Sequence, residues 1–157
     1  MNPPLPLITH TDPAALIAYR AQRCITAREF LADVARLTAL LPSATHILNV
    51  CADRYRFMVG LAAAMCAQKI SLLPSTHTPE SVRQLRAFAP DVFCLSDHAI
   101  AIDLPRLNYP DDAELVATDD FVVPQFSARK KIAYVFARII QRITLIGILH
   151  RIIIIVV

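Results

Sequence analysis

The chain has 157 residues, the size of one ordinary domain, and 55% of them are hydrophobic against 18% charged, a balance that requires a buried core and excludes a disordered polymer. Its glycines are Gly60 and Gly147, too few to write a P-loop or dinucleotide fingerprint. The net charge of +3 hides a divide, with 10 basic and 13 acidic side chains in residues 1–120 against 6 basic and none acidic in 121–157.

The opening Met1-Asn2-Pro3-Pro4-Leu5-Pro6 has neither a basic n-region nor a long apolar h-region, so no secretory signal is read and a cytoplasmic location is expected. Thr11-Asp12-Pro13 resembles a helix start and predicts a short helix over Ala14 to Tyr19. Thr26 and Glu29 stand at capping-box spacing, and Phe30, Leu31, Val34, Leu37, Leu40 and Leu41 repeat at threes and fours until Pro42. An amphipathic helix over 26–41 follows.

Ile47 to Cys51 is short, apolar and partly β-branched, a strand covered on both faces. Asp53 can cap the next helix, whose stretch Phe57 to Ala67 is apolar or glycine throughout and needs cover on more than one side. Gly60 within it predicts close approach of a neighbouring backbone. Ile70 to Leu73 reads as a second strand, and Thr78-Pro79-Glu80 opens a helix with the stripe Val82, Leu85 and Phe88, stopped by Pro90. Val92 to Leu95 is a third strand. Strands and helices alternating in this way define an α/β fold: a partial parallel sheet of β-α-β-α-β units flanked by helices. Residues 97–131 read as loop, broken by Pro105, Pro110 and Pro124, and Ile132 to Phe136 reads as a fourth strand. Beyond lies an apolar, basic, Ile-rich tail to which no structure is assigned.

Candidate chemistry is sparse. Cys24, Cys51, Cys66 and Cys94 form no CxxC pair and are expected to be buried free thiols. His10, His46, His77, His98 and His150 form no HxxxH or HExxH motif. His77 is the most interesting, since it lies just past the carboxyl end of a parallel strand, where open α/β sheets hold ligands. Ser96, Asp97 and His98 are the residue types of a hydrolase triad, but sequence neighbours point apart and a triad needs convergence from separate elements. Asp111-Asp112 and Asp119-Asp120 read as solvated loop charge, without a third ligand beside them. No catalytic, cofactor-binding or metal-binding residue is therefore assigned.

The basic tail interleaves Arg129, Lys130, Lys131, Arg138, Arg142 and Arg151 with isoleucines rather than stacking aromatics, which argues against a nucleic-acid partner. No uncharged run in 132–157 reaches the ~18 residues of a spanning segment. Membrane anchoring there is a disfavoured alternative. A small interaction module or pseudo-enzyme, meeting a protein partner or its own copies through an exposed face of helix 57–67, is another.

From Ile25 to Asp97 the order of elements resembles the N-terminal subdomain of the adenylate-forming superfamily, the AMP-dependent synthetases and ligases that include acyl-CoA synthetases. Ile25-Thr26-Ala27-Arg28-Glu29-Phe30 is similar to the family's opening "I-T-Y-x-E-L" segment, and Val34-Ala35-Arg36-Leu37 with Leu40-Leu41 to its "V-x-R-L-A-x-x-L" helix. Phe57 to Ala67 resembles the alanine-rich helix, Ser71-Leu72-Leu73-Pro74 the "x-V-P-L" strand, Pro79-Glu80 through Leu85 the "E-L-x-x-x-L" helix, and Val92 to Asp97 the "x-L-I-x-D" strand. Ala67-Gln68 departs from the family's usual Ala-Gly.

The resemblance implies a lead-in over 1–24, a partial N-terminal subdomain over 25–136 and an unrelated tail over 137–157. It implies ATP-dependent activation of a carboxylate to an acyl-adenylate, with ATP and Mg as the family's requirements. After Tyr134-Val135-Phe136 the family enters a Ser/Thr/Gly-rich loop that wraps ATP phosphates, whereas this chain reads Ala137-Arg138-Ile139-Ile140-Gln141-Arg142. Branched aliphatics resist the φ > 0 conformations that such loops use. The later adenine-, ribose- and lysine-bearing motifs have no counterpart, so the chain is expected to bind no cofactor and be inactive alone. The abrupt change in charge suggests a frameshifted or truncated reading frame.

Overall fold

The computed structural model describes residues 5–20, 22–74, 76–110 and 121–126, and the backbone of 132–133. Leu16–Arg20 is a strand, not a helix: β2 pairs antiparallel with β3 (Arg23–Thr26). The predicted helix over 14–19 is overturned because Asp12 caps only a turn, its Oδ1 accepting from the Ala14 amide at 2.8 Å. Beyond that turn Gln22 takes φ +66°, and the chain reverses and pairs with itself.

Helix α1 (Ala27–Leu40) starts on the capping box read from the sequence: the Glu29 amide donates to Thr26 Oγ1 at 3.3 Å, and Glu29 Oε2 accepts from the Thr26 amide at 2.8 Å. Its inner face is Ala27, Phe30, Leu31, Val34 and Leu37, while Leu40 falls outside it, 47% exposed. Strand β4 (His46–Asn49) follows, then α2 (Arg54–Cys66), whose N-cap is Asp53 as expected, accepting from the Tyr55 and Arg56 amides. Strand β5 (Ile70–Leu72) leads to α3 (Pro79–Phe88), capped by Thr78, and to β6 (Phe93–Ser96). Phe88 is not part of the buried stripe; it is 59% exposed, edge-on to His46.

The expected loop 97–131 carries two short strands. β7 (Arg106–Asn108) adds in parallel to β6, and β8 (Gln125–Phe126) pairs antiparallel with β1 (Leu5–Pro6). β9 (Ile132–Ala133) pairs in parallel with β5, the beginning of the predicted fourth strand; residues 134–136 and the tail lie outside the described residues.

The main sheet is parallel, with order β7-β6-β4-β5-β9. α2 carries the chain from β4 outward to β5, and α3 carries it back across β4 to β6. Right-handed crossovers require two such helices to lie on opposite faces. The alternation of side chains along the strands shows the same thing. Ile47, Phe93 and Leu95 pack with α1 and α2, whereas Leu48, Leu72 and Cys94 pack with Val82 and Leu85 of α3 and with Ile102. Each such fully buried side chain contributes about 1.5–3 kcal/mol.

No large apolar side chain of α2 is exposed, and Phe57, Met58 and Cys66 pack against the first core. Gly60 is a close-approach residue, but what approaches is side chain rather than backbone: an added Cβ would lie 2.5 Å from Asn49 Nδ2 and 2.7 Å from Leu95 Cδ2. At the amino edge of the sheet the buried Lys69 donates its Nζ to the Pro42 and Ala44 carbonyls, both at 2.5 Å, tying two turns together.

Candidate functional site

An open parallel sheet holds ligands at the carboxyl ends of its strands, where strand order reverses. Here the reversal lies between β4 and β6. The residues that emerge there are Val50 to Asp53 after β4, leading into α2, and Asp97-His98 after β6.

The crevice between them is filled by a side chain of the chain itself. Asp97 Oδ1 accepts from the Ala52 amide at 2.8 Å and Oδ2 from the Asp53 amide at 2.9 Å, and the His98 Nδ1 lies 2.9 Å from Oδ1. Burial pushes the Asp97 carboxyl up, but these hydrogen bonds outweigh it and hold the group down at about 2. Asp53 behaves similarly. Desolvation raises it, and the amides of Arg56 and Tyr55 with the Arg20 guanidinium, Nε to Oδ2 at 3.0 Å, lower it on balance. The donors at the head of α2, which in other folds grip an anion, are occupied by Asp97 and Asp53.

Behind this lock, Asn49 donates from Nδ2 to the Phe57 carbonyl at 2.9 Å and accepts from the Cys51 amide at 3.2 Å. Cys51 is buried, and burial with the nearby Asp97 charge pushes its thiol up to about 12. It stays protonated at neutral pH and is no nucleophile. On the α1–α2 side the buried Asp33 accepts from Tyr55 Oη at 2.5 Å and from Arg36 Nη2 at 3.1 Å. The guanidinium of Arg56 lies 5.2 Å from the Tyr109 ring centre. Burial raises both tyrosines, followed for Tyr55 by its hydrogen bond to Asp33 and for Tyr109 by the Asp33 charge.

Ser96, Asp97 and His98 are not a triad. The Ser96 hydroxyl donates to the His98 carbonyl at 2.6 Å and its Oγ accepts from the His98 amide, so Ser96 closes a turn while Asp97 works elsewhere. Cys51 and Cys94 are buried as expected, but Cys66 is only half-buried and Cys24 is exposed on the β2–β3 hairpin. There its side chain lies on a two-stranded ribbon with an open face. His77 is exposed in the loop after β5, and Asp111, Asp112, Asp119, Asp120 and His150 lie outside the described residues. Among the described residues no three His, Cys, Asp or Glu side chains group as metal ligands. Reading the sequence missed the Asp97 lock and Asn49; an Asp directly after a strand is too common a signal to single out.

The elements thus define a doubly wound parallel α/β unit whose switch point is closed by its own carboxylate. Neither a protein-family model nor a curated protein matches the chain. Solved structures do. The N-terminal subdomain of NpsA from Klebsiella oxytoca superimposes with a TM-score of 0.51 at 16% identity, over 62% of this chain and 27% of that one. NpsA in complex with 3-hydroxyanthranilyl-AMSN gives 0.56 at 15% identity, over 76% and 27%. An artificially fused adenylation-PCP di-domain, NpsA-ThdA from the same organism, gives 0.51 at 17%, over 62% and 20%. The chain therefore has the fold of part of an adenylation-domain N-terminal subdomain, and it spans 20% to 27% of the length of these proteins.

Proposed function

We propose that this chain is the opening part of the N-terminal subdomain of an ATP-dependent, carboxylate-activating ligase, and that the 157-residue polypeptide does not form acyl-adenylates by itself. The observation that carries the first half is the shared order of elements with the NpsA N-terminal subdomain. The motif order from Ile25 to Asp97 supports it independently. Such an enzyme joins a carboxylate to the AMP of ATP, releases pyrophosphate and passes the acyl group to a thiol with release of AMP.

The second half rests on donors. A triphosphate with its magnesium needs unengaged amides or cationic side chains converging on one place. At the described switch point the amides of Ala52 and Asp53 are bonded to Asp97, while the His98 imidazole and the Arg20 guanidinium lie on the Asp97 and Asp53 carboxylates. With those donors engaged, this point does not fit a nucleotide's triphosphate. After β9 the sequence runs Ala137-Arg138-Ile139-Ile140, with branched aliphatic residues where the family has Ser, Thr and Gly. The location that goes with this reading is the cytoplasm, and no helix among the described residues is long and apolar enough to cross a membrane.

The test is carboxylate-dependent exchange of pyrophosphate into ATP by the purified chain, across aryl and alkyl acids. No exchange above background is expected. Turnover by this chain would overturn the inactive reading. The ligase reading falls if the DNA around the segment encoding 134–142 contains, in no frame, a Ser/Thr/Gly-rich loop ending in Pro-Lys.

A further inference from the structure

The face opposite α1 and α2 carries a groove that has no part in the lock at the switch point. It runs between α3 and the crossover that links β6 to β7, and it encloses about 400 Å³, within the ~300–1,000 Å³ typical of small-molecule sites. Its floor is apolar: Val82 and Ile102 are buried at 5% and 6% exposure, and Pro79 and Ala101 flank them. Its rim is formed by the guanidinium groups of Arg83 and Arg86 and the imidazole of His77, with Asp103 as the one acid lining it.

Arg83 and Arg86 are three residues apart on α3, hence neighbours on one helical face. Each is engaged by a carboxylate: Arg86 Nη1 meets Asp103 Oδ2 at 2.7 Å, and Arg83 pairs with Glu80. Both pairs are exposed, Asp103 to 93%. Exposed ion pairs are worth about 0–1 kcal/mol, so an incoming anion displaces these carboxylates at little cost. Two guanidinium forks and an imidazole offer more donors than the two oxygens of a carboxylate can accept, and a phosphate monoester has three terminal oxygens to meet them.

We propose that this groove binds a small organic phosphate monoester, with its phosphate on His77, Arg83 and Arg86 and its apolar part over Val82 and Ile102. The site is independent of the ligase reading, because no residue of the switch point enters it.

Calorimetric titration of the 157-residue chain with phenyl phosphate, inorganic phosphate and phenol tests it. Phenyl phosphate is expected to saturate and to bind about tenfold or more tighter than either of its halves. Arg83→Gln with Arg86→Gln should weaken it by about tenfold or more, as the loss of two charge-assisted partners requires. Asp103→Asn should tighten it, a gain that misfolding cannot produce. Absence of saturation, equal affinity for inorganic phosphate, or unchanged binding in either variant would overturn the proposal.

Discussion

Gln68 takes φ +61° at the end of α2, a left-handed conformation that glycine adopts without strain. The Lys69 amide bonds the Ala64 carbonyl at 2.8 Å and the Gln68 amide bonds the Met65 carbonyl at 3.1 Å, the two hydrogen bonds of a Schellman cap. This is the position at which the chain departs from the Ala-Gly of the enzymes it resembles. Gln68→Gly is therefore expected to stabilise the protein by about 1 kcal/mol, read as a rise in the denaturation midpoint. Gly60 calls for the opposite. Asn49 is fixed by bonds to Phe57 and Cys51 and cannot retreat from a new methyl. Gly60→Ala should cost about 1–3 kcal/mol, more than the ~1 kcal/mol of helix propensity it gains, and urea unfolding will show the balance. Asp97 supplies the pH prediction. Its folded carboxyl sits at about 2, below the ~4 of an unfolded aspartate. Its contribution is thus present above about pH 4 and lost as pH falls from there through about 2. Asp97→Asn keeps the size but leaves one amide without an acceptor, for a loss of about 1–3 kcal/mol at neutral pH. It should also flatten the acid limb of the stability curve. Asp91 keeps the variant from being wholly pH-independent, since the Thr45 amide and His46 also hold its carboxyl at about 2.

Helix α1 shows how an element becomes readable: Thr26 and Glu29 satisfy each other's backbone within one turn, so the signal is wholly local. Thr26→Ala should remove about 1 kcal/mol, measurable as a shift in thermal midpoint, while Thr26→Ser should restore most of it. The same locality explains Asp53 before α2 and Thr78 before α3. What stayed hidden is what distant partners decide. Leu16 to Arg20 is a strand because Arg23 to Thr26 returns alongside it, and Asp12 signals a turn as readily as a helix. Arg106-Leu107-Asn108 holds a single apolar residue and stands in a short stretch bounded by Pro105 and Pro110; it is a strand because β6 presents an unpaired edge beside it. The lock was illegible for a related reason. Asp97 meets Ala52 and Asp53 from more than forty residues away, and nothing within either segment announces the other.

At the scale of the molecule, two facts bear on activity together: the fold is shared with part of an adenylation-domain subdomain, and the crevice where such sheets take ligands is sealed from within. Negative pyrophosphate exchange is the expected result, and Asp97→Asn is not expected to restore it, because removing one carboxylate supplies no cradle for a triphosphate. The sheet order has one more consequence. β4 stands at the centre of the sheet but is translated before every other strand in it. As the nascent chain leaves the ribosome, Ile47 and Leu48 emerge with neither neighbour yet synthesised, and the second, β6, arrives only after α3 is complete. Until then the central strand, whose Ile47 and Leu48 are fully buried in the finished fold, is unprotected, which makes the interval between translation of β4 and β6 the window in which chaperone capture or aggregation competes with folding.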